Sequence, residues 1–499
     1  LDGWVYGACG IFGGDITNAA TGEVIALGQR DFRFRPDTSE FEPVTGSTQQ
    51  GRVRNDEDDW FGCNSGSMLM HYPLADHYLR RNPFLVPPST VVGIAAEPDP
   101  GRLYSISDQV LFMLSGPPNR PTAACGLGIY RDDFLGEGYR GNAFTCEPVN
   151  NLVHRQSLTP SGVTFSSRRA EDEQDREFLA STDPWFRPVQ VRTGPDGALW
   201  VVDMYRYVIE HPIWIPPDTL ATIDPRAGST MGRIYRIVPE SQPARTMPRL
   251  DRLTGTGLAA AMDSPNGTQR DLVQQLIQWR VDTSTIPTLS QLCRNSIRPA
   301  VRVQALSTWA NLLDGERTAE TGEANRASHS NGLNTAVSAM LADDAAEVRR
   351  HAVRIAERAI GESQDLAEIV VSAADDEDAF VRLQAGYSAV TLQTPYATRL
   401  LTKLLLHDAD SAYIVAAAES SLTPDNVIAI LTALRAADAP ATVSDRIRAD
   451  AVVLAPPESV KSLLLQSAQL AVRQPDVAGF RQFAGLLESL RQRPADNLA

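Results

Sequence analysis

RTGPDGALWVVDMYRYVIEHP, residues Arg192 to Pro212, joins a tight turn, a strand and a dense run of polar side chains. In Gly194-Pro195-Asp196-Gly197 the proline fixes φ, and a glycine supplies the positive φ that other residues adopt only at a cost. Ala198 to Val202 is an apolar run rich in β-branched and aromatic types. It is long enough for a strand and too short for a buried helix. Asp203, Tyr205, Arg206, Glu210 and His211 then follow within a few residues.

The same pattern opens the chain. Leu1-Asp2-Gly3-Trp4-Val5-Tyr6-Gly7 repeats Asp-Gly, one residue, then aliphatic and aromatic types. Asp59-Trp60-Phe61-Gly62 is a looser copy, and Gly232 to Val238 is a later strand. Short strands separated by Gly/Pro turns, with a recurring motif, predict the blades of a β-propeller. At roughly 40 to 60 residues per blade, residues 1 to 242 suffice for about four. An unclosed ring exposes strand edges, so further blades before Leu1, or a fragment, are expected.

Three polar clusters are candidates for chemistry. The first is Asp203, Tyr205, Arg206, Glu210 and His211, just beyond a strand, where propellers gather ligands. It reads equally as an Arg206–Glu210 ion pair with His211 bonded to backbone. The second, Glu147, Asn150, Asn151, His154 and Arg155, follows the strand Ala143 to Cys146 and reads otherwise as a hydrogen-bonded loop. In the third, Thr182 to Pro188, the planar fork of Arg187 suits a carboxylate, or else the arginine is structural and stacks on Trp185. His71 and His77 share a loop, His71 to Pro88, without a third ligand, so no metal site is expected. Gly46 to Asp59 reads as a loop, and Ala170 to Glu177 as a solvated turn or short helix.

The rhythm changes near Pro239 to Pro248. Of 34 aromatic residues, 26 precede residue 240, and the remainder of the chain turns rich in Ala, Leu, Val and Arg. Arg270, Arg302, Arg349, Arg382, Val415, Arg448 and Arg481 recur at spacings of 32, 47, 33, 33, 33 and 33 residues. Val-Arg-x-x-Ala marks three of them, at Arg302, Arg349 and Arg382. The long spacing holds the polar stretch Asp314 to Gly332, read as a surface insertion. Small alanines let paired helices approach, and an arginine such as Arg349 can point outward or pair with the acids of its turn, Asp343 and Asp344. This is the logic of a HEAT-type α-solenoid.

The net charge is −15, with two lysines, Lys403 and Lys461, among 46 basic residues, and no basic stripe suited to phosphate backbones. Nucleic-acid binding is not expected. No apolar run approaches the roughly 20 residues that span a bilayer, and no signal peptide is visible. Cys9, Cys63, Cys125, Cys146 and Cys293 fit neither zinc nor haem-attachment spacing. Cys9 with Cys63, or Cys125 with Cys146, would form disulfides in an exported protein; otherwise all five are small buried hydrophobes.

Asp31 to Asp37 (DFRFRPD), Asp59 to Asn64 (DWFGCN), Asp76 to Pro83 (DHYLRRNP), Cys146 to Arg155 (CEPVNNLVHR), Phe178 to Val189 (FLASTDPWFRPV), Gly194 to Pro212 and Gly232 to Ile237 (GRIYRI) occur in one order. Together they resemble the membrane-bound dehydrogenases of planctomycetes and their relatives, whose propeller is similar to the soluble glucose and sorbosone dehydrogenases. Met262 to Leu276 resembles the first repeat after that propeller. The resemblance implies oxidation of a sugar-like alcohol or aldehyde. It implies pyrroloquinoline quinone with calcium as cofactor, because no side chain accepts a hydride, and it implies an external electron acceptor and export to the periplasm or a comparable compartment. The chain departs from the pattern in having no lysine before Lys403, Gln49-Gln50 where relatives carry Arg-Asn, and no haem-attachment motif. The catalytic histidine of those enzymes lies in an early blade, so that role is not carried over.

The expected fold is therefore all-β followed by all-α. A partial propeller occupies residues 1–242 and a HEAT-type solenoid residues 250–499, the latter offering a surface to a protein partner. The expected site comprises His154 or His211 as base, with Glu147, Asn151, Arg187, Asp203, Tyr205, Arg206 and Glu210 holding substrate or cofactor. The competing expectation is a non-enzymatic propeller and solenoid module that binds carbohydrate or protein, since one scaffold serves both uses.

Overall fold

The computed structural model describes residues 1–437, apart from 20, 110–115, 244, 319–322 and 361–362. The periodic positions Arg448 and Arg481 lie outside the described residues. Strands fill the chain as far as Ile237, and helices follow from Gly255 onward.

β1 (Val5–Gly7), a hairpin of β2 (Asp15–Thr17) and β3 (Val24–Ala26), β4 (Asp31–Phe34) and β5 (Phe41–Val44) come first; β1, β4 and β5 form one antiparallel sheet. β6 (Val53–Arg54), β7 (Trp60–Asn64), β8 (Ser67–His71) and β9 (Val92–Gly93) form a meander, with helix α1 (Asp76–Leu79) inserted after β8. β10 (Cys125–Ile129), β11 (Ala143–Glu147), β12 (Leu152–Ser161) and β13 (Thr164–Arg169) form another, and β14 (Leu179–Ala180) pairs beside β12. β15 (Pro188–Thr193), β16 (Leu199–Asp203) and β17 (Arg233–Ile237) complete the region, with helix α2 (Pro217–Leu220) between the last two. The Trp4 and Trp200 segments thus belong to separate sheets.

The turn that opens β16 has the expected form. Gly197 adopts φ 85°, and a Cβ there would run into Phe134. β10 and β15 lie close together because Gly126, at φ 59°, carries no Cβ to strike the Val189 carbonyl. Around this approach Tyr130, Phe144, Val153, Val191, Leu199 and Val201 form a dry core.

Contacts divide the chain into two compact units: Leu1–Pro73 with Thr90–Arg326, and Leu74–Ser89 with the chain from Ala327 on. The first unit includes helices α3 (Gly255–Ala260), α4 (Gly267–Arg280), α5 (Ile286–Asn295) and α6 (Pro299–Thr318). Asn266 caps α4 by accepting from the Gln269 N–H at 2.7 Å, while its amide donates to the Gly194 carbonyl at 2.7 Å. The start of α4 therefore sits on the Gly194–Gly197 turn. Behind it, Arg131 donates to Asp56 at 2.6 Å and to Asp271 at 2.7 Å, Arg54 donates to Asp271 at 2.7 Å, and Arg270 donates to Asp56. Burial pushes Asp56 up, but Arg270 and Arg131 outweigh it and hold the carboxyl down at about 2.

α7 (Glu323–Met340) leads into α8 (Ala346–Ala356), α9 (Gln364–Ser372), α10 (Ala379–Ser388), α11 (Thr394–His407), α12 (Ala412–Glu419) and α13 (Val427–Ala437). α8, α10 and α12 pack in one layer, and α9, α11 and α13 in another. Within the polar stretch 314–332, read as a surface insertion, the described backbone is helical: α6 runs to Thr318 and α7 begins at Glu323. Polar composition alone does not distinguish a helix from a loop. The repeat arginines point along the turns and not outward. Arg349 donates to the Asp343 carbonyl at 2.9 Å and the Asp344 carbonyl at 3.1 Å, then forks onto Asp376 of the following turn at 2.7 Å. Arg382 repeats this on the Asp376 and Glu377 carbonyls and on Asp408. Among the described residues, no helix is long and apolar enough to cross a membrane.

Candidate functional site

A cavity of about 460 Å³ opens between the loop after β9 and the segment after β13, lined by Arg102, Tyr104, Ser105, Asn119, Arg176 and Glu177 among others. Its wall and floor are held by the second predicted cluster. Glu147 is buried at the end of β11 and accepts from the Thr122 N–H at 3.1 Å, the Ala123 N–H at 2.6 Å and the Asn150 N–H at 2.7 Å. Burial nevertheless outweighs these bonds and raises its carboxyl above the ordinary range. The Asn150 carbonyl accepts from the Ser105 hydroxyl at 2.9 Å, and its side-chain oxygen accepts from the Asn119 N–H at 3.1 Å. Asn151, at φ 57°, accepts from the Ser107 hydroxyl at 2.6 Å. These asparagines and this glutamate fix the loop that forms the wall.

Glu177 is the floor. One oxygen accepts from the Tyr104 N–H at 2.9 Å and from Arg169 at 2.8 Å, while the other meets Nδ1 of His154 at 2.7 Å. Burial pushes this carboxyl up, and its bonds to His154 and Arg169 outweigh that and bring it below the usual range. His154 is itself buried, and its Nε2 has no hydrogen-bond partner among the described residues. The stretch Ala170 to Glu177 is thus not simply a solvated turn. It contains a 3₁₀ turn at Glu171–Glu173, but Glu173 and Glu177 turn inward to Arg155 and to Arg169 with His154. Sequence reading missed both acids and Arg169; a charged run carries no mark of which members are buried.

The first and third clusters meet at Arg187. This side chain is 1 % exposed. It donates to the carbonyls of Pro148 at 2.7 Å, Arg206 at 3.0 Å and Tyr207 at 2.7 Å. Asp203 closes the same knot, accepting from the Arg187 N–H and the Tyr205 N–H at 2.8 Å and from Arg233 at 2.9 Å. Trp185 does not stack on Arg187; it packs near Tyr205 and Tyr207. Tyr205 adopts φ 51° and lies under the Arg233 guanidinium. Glu210 is near enough for its charge to act on Arg187. His211 stands apart: its Nδ1 accepts from the Ile213 N–H at 3.2 Å on an exposed turn. The two histidines have different neighbours: His154 meets Glu177 and His211 the Ile213 N–H. His71 is a core residue, bonded to Thr164 and packed among Phe61 and Phe165.

A calcium-bound quinone would require roughly six to eight converging oxygens. The oxygens of Glu147 and Asp203 are already turned to N–H and guanidinium donors. Among the described residues no group of three or more His, Cys, Asp or Glu could hold a metal ion. As held here, Glu147 and Asp203 do not supply those oxygens.

Residues 1–241 match the family described as a domain of unknown function, DUF7133, and residues 333–423 match HEAT repeats. No curated protein matches. Among solved structures, the chain is similar to two engineered proteins that were targets of the Northeast Structural Genomics Consortium. One has 16% identity over 47% of this chain and 87% of that chain, with a TM-score of 0.24. The other has 14% identity over 50% of this chain and 100% of that one, with a TM-score of 0.25. A designed armadillo repeat protein in complex with a (KR)4 peptide has 14% identity over 47% and 98%, also at 0.25. None of these names a dehydrogenase. These matches place a DUF7133-like region first in the chain and HEAT-like repeats after it.

Proposed function

We propose that this chain is a binding module. Its β-rich region takes a sugar-like polar molecule in the cavity floored by Glu177, and its HEAT solenoid offers a surface to a protein partner. One observation carries the reading: Glu147, Asn151 and His154, the residues suited to catalysis by type, stand behind the cavity as its support. Buried polar groups are costly unless matched, and here they hold a wall and floor in place, as a preorganised site requires. Arginine, amide, hydroxyl and aromatic groups around the cavity suit a polyhydroxylated ligand.

Within the same proposal the sheets are blades of a partial propeller. The local meanders β6 to β9, β10 to β13 and β15 to β17, each built from strands consecutive in the chain, support that reading. Export to the periplasm or a comparable compartment goes with it.

A second reading, a quinone-dependent oxidoreductase passing electrons to an external acceptor, is favoured by the His154–Glu177 pair. A carboxylate on one ring nitrogen orients an imidazole as a base. Pyrroloquinoline quinone would supply the hydride acceptor in that case. The test is to titrate the full chain with a panel of sugars by calorimetry, and in parallel to follow reduction of an artificial acceptor after incubation with the quinone and calcium. Binding that weakens at least tenfold in Arg102→Ala, without turnover, is the expected result. Turnover would overturn it in favour of the oxidoreductase, and absence of any sugar binding would remove the ligand class.

A further inference from the structure

The five cysteines are free thiols, and Cys63, Cys125 and Cys146 are buried in the β-rich region. Strand pairing separates the possible partners. Cys125 on β10 is the register partner of Cys146 on β11, just before the register shifts ahead of Gly128, and both side chains belong to the same buried cluster. Directly opposed residues of antiparallel strands send their side chains to the same face, with Cα atoms about 4.5 to 5.5 Å apart. Disulfides span Cα separations of about 4.4 to 6.8 Å. Cys63 lies on another sheet, near enough for its charge to act on both thiols, but it is the register partner of neither and its sulfur donates to the Gln50 carbonyl at 2.7 Å; Cys9 faces the Gly10 carbonyl.

The position bears on the cavity. Cys146 immediately precedes Glu147, and Glu147 accepts from the N–H groups of Thr122 and Ala123, just before Cys125. A bond between these sulfurs would tie the same two strands that the glutamate holds by hydrogen bonds alone.

We propose that Cys125 and Cys146 form a cross-strand disulfide that staples the base of the cavity wall. In the reaction one cysteine thiolate attacks a small disulfide such as oxidised glutathione, releasing one glutathione thiolate. The second cysteine then attacks the mixed disulfide and releases the other. The protein thiols lose two protons and two electrons, the oxidant is reduced to two thiols, and one S–S bond replaces another. Burial pushes both thiols up, so few thiolates exist in the closed core. The bond therefore forms while the chain folds, and afterwards resists external reductant.

The experiment refolds the full chain in a glutathione redox buffer, blocks remaining thiols with iodoacetamide, and maps peptides without reduction. The expected product is one crosslinked peptide pair joining Cys125 and Cys146, retained in Cys63→Ala and lost in Cys125→Ala. The oxidised protein should melt about 5 °C above the reduced one. Complete alkylation of both cysteines, or a crosslink of either to Cys63, would overturn the proposal. The wild-type map decides even if a variant fails to fold.

Discussion

Arg187 shows how far a residue's type can be read and where the reading stops. An arginine between an aromatic residue and a proline is visible in the sequence, as is the choice between an anion site and a structural role. What it donates to is not visible, because the carbonyls of Pro148, Arg206 and Tyr207 are backbone atoms common to every residue. Its burial and these partners favour the structural role. Arg187→Ala would leave several buried acceptors unmatched, at about 1 to 3 kcal/mol each. The expected loss is on the order of 3 kcal/mol or more in urea denaturation, with Arg187→Lys recovering only part, since an ammonium lacks the planar fork. Unchanged stability together with lost ligand binding would return Arg187 to the role of anion binder. Asp203 and Glu147 are legible by the same type-based reading, and their oxygens likewise accept from backbone N–H and guanidinium groups that the sequence does not announce. Glu177 was not found, because its importance comes from His154 and Arg169 meeting it in space.

At the scale of elements, legibility depended on repetition. The strands around Trp60 and Trp200 and the helices around Arg349 and Arg382 were legible because each copy solves one packing problem with one pattern. The helical continuation through part of 314–332 was not, since an exposed helix can be as polar as a loop. The repeat arginine explains why the period survives as Arg: it ties the carbonyls of its own turn to the acid of the next one. Arg349→Lys should therefore destabilise the solenoid by about 1 to 2 kcal/mol, measured by guanidinium unfolding, with Asp376→Asn adding little on top of it. A full additive loss in the double variant would show that the two do not act as a pair. The α4 clamp makes a different prediction. The Asp56 carboxyl is held at about 2, below its ordinary value near 3.8. A depressed acid contributes stability that is complete above the unfolded value and disappears as pH falls through the folded one. The expected contribution, on the order of 2 kcal/mol, is lost between about pH 4 and pH 2. Asp56→Asn should be less stable at neutral pH and flatter in that acid window. An identical acid slope in variant and wild type would show that Asp56 is not the group responsible.

At the scale of the whole molecule, the division into units cuts across chain order in a way no local pattern announces. Leu74–Ser89 comes after strand β8 yet belongs with the helices. Tyr78 stacks on Tyr387 at 4.4 Å and 9°, and its hydroxyl donates to Glu357 at 2.9 Å. Arg81 donates to the Tyr387 carbonyl at 3.0 Å, and Asn82 to the Glu419 carbonyl at 2.9 Å. Partners some three hundred residues away leave no trace in a window of sequence, which is why this segment read as a loop. Its buried aromatic face means that the helical unit takes part of its core from residues far earlier in the chain. Tyr78→Ala removes the stack, two hydrogen bonds, to Glu357 and from Gln384, and most of a buried ring. Large-to-small changes of this kind cost about 3 to 5 kcal/mol. Hydrogen exchange should register the loss as faster exchange of amides in α10 and α12, where the segment docks, while amides of β10 to β12 keep their protection. Tyr78→Phe keeps the ring and gives up only the hydroxyl's bonds to Glu357 and from Gln384, so it should recover most of the protection. If Tyr78→Ala leaves the helices as protected as before, the solenoid core is complete without Leu74–Ser89, and the segment is a passenger on its surface.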